Sequence, residues 1–168
     1  SGISGGIALE GNPLNNTALS NHIPALQARG LKVTYDIPED VLLFKDSNLE
    51  KTIREALGIP TELLKKEDLE KLTELDAQGG EFSKARDLTG MEHCINLTVL
   101  NLRENQIDDI SPLSNLTRLT ELSLQSNPIQ DIYPITNLIN LEQMNLTNCH
   151  QVSDIKPLSN LTKLAHFG

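Results

Sequence analysis

The chain has 168 residues, 38% of them hydrophobic and 22% charged, with a formal net charge of -9. At roughly 100–200 residues per domain this is one domain or two small ones. The negative charge disfavours a phosphate-backbone partner, and no apolar run approaches the roughly 20 residues that cross a bilayer, so neither nucleic acid nor membrane is an expected partner.

Aromatic residues make up only 3% of the chain, with 3 Phe, 2 Tyr and no Trp, against 29 leucines. A core built from one aliphatic side chain used many times implies a repetitive architecture. The opening Ser1-Gly2-Ile3-Ser4-Gly5-Gly6 lacks the basic start and apolar stretch of a secretory signal. The chain is accordingly expected to be cytosolic or an excised piece of something longer.

In chain order, Ile7-Ala8-Leu9-Glu10-Gly11-Asn12-Pro13-Leu14 reads as a strand and a turn. Asn21 to Gly30 reads as a helix with Pro24 in its first turn and Gly30 as its stop. Leu31-Lys32-Val33-Thr34-Tyr35 follows as a closing strand, and 36–41 as a linker. The next element is a helix over 48–57: Ser47-Asn48-Leu49-Glu50 has the spacing of a capping box, Leu49, Ile53 and Leu57 share a face, and Gly58 with Pro60 ends it. A second helix over 66–71 would carry Glu62/Lys66 and Glu67/Lys71 as i,i+4 pairs on its wet side. Together 42–71 form a helical cap.

From Leu72 onward the chain repeats. Leu97-Thr98-Val99-Leu100-Asn101-Leu102-Arg103-Glu104-Asn105-Gln106-Ile107 aligns with the stretch from Leu119 to Ile129, and then with Leu141 to Val152. The step is 22 residues from Leu100 to Leu122, 22 to Met144 and 23 to Phe167, with an irregular first copy at Leu75, 25 residues before Leu100. Each unit continues into Asp109-Ile110-Ser111-Pro112-Leu113, Asp131-Ile132-Tyr133-Pro134-Ile135 or Asp154-Ile155-Lys156-Pro157-Leu158. In each coil a short strand points Leu100 and Leu102 inward. Asn105 turns the chain and bonds backbone groups of neighbouring coils. Ile107, Ile110, Leu113 and Leu116 line the return, which proline keeps extended or 3₁₀. Stacked coils give a parallel sheet with strands about 4.8 Å apart.

The pattern L-x-x-L-x-L-x-x-N-x-I followed by D-I-x-P-L-x-x-L resembles the bacterial leucine-rich repeats of the internalin-like family, from about Leu72 to the last residue. The run N-L-x-x-x-I-R-x-A-L-G from Asn48 to Gly58 resembles that family's helical N-terminal cap, although Lys65 stands where a Ser or Thr cap of the second helix is expected. The fold class is thus an α/β leucine-rich-repeat solenoid, with a parallel sheet on its concave face, a 3₁₀ or irregular convex side and a helical cap. In this frame Asn12 takes the asparagine position of a repeat, so 1–35 is the end of one leucine-rich array. Residues 72–168 are four to five repeats of another, truncated at its C-terminal end. The resemblance also implies a secreted or cell-surface protein.

Chemistry-bearing residues are few. Cys149-His150 invites a nucleophile and base, but Cys149 follows Met144 by five residues as Asn105 follows Leu100, so it replaces the inward asparagine. Cys94 aligns with Leu116 and should be core; the two cysteines stand too far apart for a disulfide. Asp109, Asp131 and Asp154 form a column better suited to capping the turns after them than to holding a cation. The four histidines have no zinc spacing. No cofactor, metal or catalytic constellation is expected. The sequons at Asn96, Asn115, Asn145 and Asn160 follow from the repeated Asn-Leu-Thr; another lies at Asn15.

The informative surface is the outward side of the strands. Its columns are Glu74, Val99, Glu121, Gln143 and His166; Asp76, Asn101, Ser123 and Asn145; and Gln78, Arg103, Gln125 and Thr147. This polar concave face is the expected binding site of a non-catalytic protein- or ligand-recognition module. The alternative is a self-assembling segment, a head-to-tail homo-oligomer in which 1–35 of one copy caps the open repeat end of another.

Overall fold

The structure is a computed structural model that describes residues 6–11, 14, 18–36, 39–60, 62–81 and 84–168. The expected turn asparagine Asn12, the sequon Asn15, the start Ser1–Gly5 and the Ile37-Pro38 boundary lie outside the described residues.

The strands are short because each coil needs only three residues on the sheet. β1 (Gly6–Ala8) and β2 (Lys32–Thr34) pair in parallel with Ile7 opposite Val33. Between them run a π-helical turn, Ala18–His22, and α1 (Ile23–Ala28), with Pro24 in its first turn and Gly30 at φ +80° behind it. The helix is therefore shorter than the stretch from Asn21 to Gly30 suggests, because its first turn is wound wider. Leu19, Ile23 and Val33 form a small core with Val41, and Leu63 of the cap packs against it.

α2 (Ser47–Leu57) starts one residue earlier than expected and is capped by Asp46, not Ser47. Asp46 Oδ1 accepts from the N–H groups of Asn48 (2.9 Å) and Leu49 (3.1 Å), while its Oδ2 accepts from Arg86 N–H at 2.7 Å. One carboxylate thus ends the helix and ties it to the first coil, which is why it outcompetes the neighbouring serine. Gly58 closes the helix at φ +68°. α3 spans Lys66–Leu69 and stops short of 71. Lys71 consequently pairs with Asp68 at 2.7 Å, and not with Glu67, while Asp68 also accepts from Lys65 N–H. Val41 bridges to Lys65 antiparallel, joining the last linker residue to the cap.

The repeats form one parallel sheet in the order β3 (Glu74–Asp76), β4 (Val99–Asn101), β5 (Glu121–Ser123), β6 (Gln143–Asn145) and β7 (His166–Phe167). Its register is the one the period dictates: Leu75, Leu100, Leu122, Met144 and Phe167 stand opposite one another. The return legs are 3₁₀ turns at Ser111–Leu113, Tyr133–Asn137 and Lys156–Asn160, each with proline in the first turn. The core runs unbroken from Phe44, Leu49 and Ile53 of the cap through Leu100, Ile110 and Leu116 to Leu161. Phe44 lies on Gly90, where φ is +106° and a Cβ would meet the ring at 2.6 Å. Only glycine lets the cap seat this closely.

Between coils the sheet is backed by buried side chains. Asn105 Nδ2 donates to Ala77 O (2.8 Å) and Leu102 O (2.9 Å), and its Oδ1 accepts from Ala85 N–H. Asn127 repeats this with Leu102 O, Leu124 O and Ile107 N–H. Cys149 takes the third place, its Sγ donating to Leu124 O at 3.2 Å. The residues just before them, Glu104, Ser126 and Asn148, sit at φ of 58°, 57° and 62°, the left-handed turn that aims the next side chain inward.

Candidate functional site

Both cysteines are buried in the repeats. Cys94 is fully buried, which pushes its thiol up to about 12. Burial also raises the thiol of Cys149, while His150 stands exposed beside it. Both cysteines are free. Each carboxylate of the Asp109, Asp131 and Asp154 column closes a local turn, accepting from the N–H of Ser111 (2.8 Å), Tyr133 (2.7 Å) and Lys156 (2.9 Å). Among the described residues no group of three or more His, Cys, Asp or Glu could hold a metal ion.

The concave columns are brought together as the register requires. Glu74, Val99, Glu121, Gln143 and His166 stand side by side, as do Asp76, Asn101, Ser123 and Asn145. The third column is drawn alongside by Gly79 N–H to Arg103 O, Glu104 N–H to Gln125 O and Ser126 N–H to Thr147 O. At Gly79 a Cβ would lie 2.1 Å from Glu104 O, so the first coil closes on the second only through glycine. The face holds an open groove of about 720 Å³ lined by Gln78, Val99, Asn101, Arg103, Glu121, Ser123, Gln125, Gln143, Asn145 and His166. Glu74, Asp76 and Thr147 share its columns but stand outside the lining. Phe167, which the repeat assigns to the inward column, is 54% exposed and joins the groove with Gly168.

Much of the polarity on this face is already engaged. Asp76 Oδ1 accepts from Asn101 Nδ2 (2.9 Å) and Gln78 N–H (3.2 Å). Asn101 and Asn145 accept from the N–H groups of Arg103 and Thr147, two residues on. Arg103 grips one Glu104 oxygen through Nε at 2.8 Å and Nη2 at 2.6 Å. That pair is invisible to strand logic, which sends adjacent side chains to opposite faces; the left-handed turn at Glu104 brings them together. The outcome is an ordered, largely neutral array of amides and hydroxyls with carboxylates at the cap end.

A short-coil parallel sheet backed by an asparagine ladder and closed by a helical cap defines a leucine-rich-repeat solenoid. The leucine-rich-repeat family model, describing two repeat copies, matches residues 95–139. Among solved structures the chain is similar to internalin C2 from Listeria monocytogenes, with 28% identity, a TM-score of 0.70, and coverage of 79% of this chain and 59% of that one. It is also similar to a second internalin of that species, inlF, with 34% identity, a TM-score of 0.60, and coverage of 74% and 43%. No curated protein matches it by sequence. The chain is a leucine-rich-repeat solenoid similar to these bacterial internalins, and it spans between two fifths and three fifths of those two structures. No helix among the described residues is long and apolar enough to cross a membrane.

Proposed function

We propose that the chain is a non-catalytic recognition module that binds a protein through the concave face of its repeats. The observation that carries this reading is the groove of about 720 Å³ whose lining is the outward columns of four adjacent strands, held in register and presenting ordered polar groups. Leucine-rich repeats of internalin type support a protein-interaction role, and likeness to internalins alone favours a secreted or cell-surface location.

In this reading 1–35 is the closing coil of a separate leucine-rich stretch. Leu9 N–H donates to Thr34 O at the place in the coil where Leu102 N–H donates to Ser123 O. Head-to-tail assembly through that segment has less support, since Leu19, Ile23 and Val33 already pack on Val41 of their own chain.

The test is capture by the immobilised chain from host-cell and source-cell extracts, compared with Arg103→Ala combined with Gln125→Ala and with a convex control, Tyr133→Ser. Capture of one partner lowered at least roughly tenfold by the concave pair alone supports the reading, as expected for loss of an interfacial arginine. Equal capture by all three refutes it. Oligomers in light scattering that Phe167→Asp dissolves would favour self-assembly instead.

A further inference from the structure

We propose that the partner of this concave face presents a helix with two basic side chains seven residues apart, seated on Glu121 in the groove and on Glu74 beside it, and a small apolar side chain between them over Val99. This rests on the recognition role proposed above and names the partner's chemistry. Glu74, Val99 and Glu121 are consecutive members of one column on β3, β4 and β5. Val99 is the sole apolar side chain in the three outward columns.

The charge of the face is one-sided. Its arginine, Arg103, is cancelled by Glu104 at 2.6 Å. The carboxylates of Glu74 and Glu121 are exposed, and neither has an ion-pair or hydrogen-bond partner among the described residues. Asp76 adds a third negative charge beside Glu74 while its Oδ1 serves Asn101 and Gln78. Toward the far end Gln143 and Asn145 are uncharged. A partner must therefore place its cations at the cap end and amide or hydroxyl groups beyond.

Spacing selects the helix. Two strand steps separate the glutamates by about 10 Å, with Val99 halfway at about 5 Å. A helix rises about 10.5 Å over seven residues and about 6 Å over four, and all three positions share one face. In an extended segment residues about 10 Å apart point to opposite sides. A polyproline helix repeats every three residues and has no side chain of the same face midway.

The probe is a capped alanine-based peptide of about 18 residues, long enough to be helical, with lysines seven apart and alanine between. The comparison peptide has them five apart, on different faces. Titrated into the whole isotope-labelled chain at low salt, the first peptide is expected to shift the amide signals of Glu74, Val99 and Glu121. Combining Glu74→Gln with Glu121→Gln, or moving the lysines to five apart, should weaken binding about tenfold, the loss of two exposed ion pairs. No binding, equal binding by both peptides, or binding that the glutamine pair leaves unchanged overturns the proposal. A captured partner lost with Arg103→Ala and Gln125→Ala but kept with Glu74→Gln and Glu121→Gln would leave recognition standing and remove this partner.

Discussion

The cap and the regular repeats share one core of buried leucine and isoleucine, yet they are fastened differently. Across 40–90 the polar ties are carboxylates: Asp46 on α2 and the first coil, Asp40 on Lys65 at 2.9 Å, Asp68 on Lys71 and Lys65 N–H, and a buried Glu50–Arg54 pair at 2.8 Å. From coil to coil beyond Leu100 the interior ties are neutral: two asparagine amides and one thiol, each serving backbone of two adjacent coils or of one neighbour. The difference follows from geometry. A repeat meets an identical surface, so one neutral group bonding main chain serves every junction. A cap meets a surface unlike itself and uses side chains that reach specific groups on it. Stability of the repeats should then be sensitive to single amides, and that of the cap to charge.

The largest effect is expected from Asn127→Ala. It leaves Ile107 N–H without its acceptor and takes one of two donors from Leu102 O and from Leu124 O, which keep Asn105 Nδ2 and Cys149 Sγ, in a site where Asn127 is only 3% exposed. With a buried unsatisfied group costing about 1–3 kcal/mol and each weakened carbonyl adding a fraction of an ordinary hydrogen bond, a loss of about 3 kcal/mol is expected in urea unfolding. Asn127→Cys should cost about half as much, because a thiol there can donate to Leu102 O of the preceding coil as Cys149 Sγ donates to Leu124 O. Equal losses for the two variants would mean that packing, and not the amide, holds the coils.

Asp46→Ala should come next. It removes a helix cap worth about 1 kcal/mol together with the tie to Arg86 N–H at 2.7 Å, for a total of about 2 kcal/mol. Hydrogen exchange should quicken in 47–57 and around Arg86 while the amides of β5 and β6 keep their protection. Uniform quickening would show that cap and repeats unfold as one unit and erase the contrast.

Why the cap was harder to read follows from the same contrast. The repeat columns were legible because a 22-residue step forces every coil to bury the same positions, so Leu100, Leu122 and Met144 could be set opposite each other by counting. Cys149 as an asparagine substitute was legible for that reason too. Ser47 and Asp46 are both good cap residues, and the choice fell to Asp46 through Arg86, 40 residues away. A helix continuing to 71 would bring Lys71 to Glu67; α3 ends at Leu69, and the turn beyond it delivers Lys71 to Asp68. On the concave face the residue columns were legible and their hydrogen bonding was not. The Arg103–Glu104 pair depends on a positive φ that an ordinary glutamate does not advertise.

The smallest expected effect is on pH, and it separates the two regions most cleanly. The Lys65 ammonium holds Asp40 below the usual carboxylate range, Lys71 does the same for Asp68, and the Thr89 hydroxyl and N–H do so for Asp87. A carboxylate whose folded value is depressed binds fewer protons than in the unfolded chain. Its stabilisation is complete above the unfolded value of about 3.9 and is lost as pH falls through the folded one. All three lie between residues 40 and 87, in the cap and the coil it covers. The Asn105 and Asn127 amides take up no proton in this range, and the Cys94 thiol, at about 12, titrates far on the alkaline side. Lowering pH from 5 toward 2.5 should therefore reduce hydrogen-exchange protection in 41–57 and 64–69 before it does so in β5 and β6. The exposed ion pairs make this modest and salt-dependent. Replacing Asp40 and Asp68 with asparagine should flatten the acid response of the cap without altering that of the repeats. A response that persists in the double variant would place the acid-labile tie at Asp87, the remaining depressed carboxylate in the coil that the cap covers.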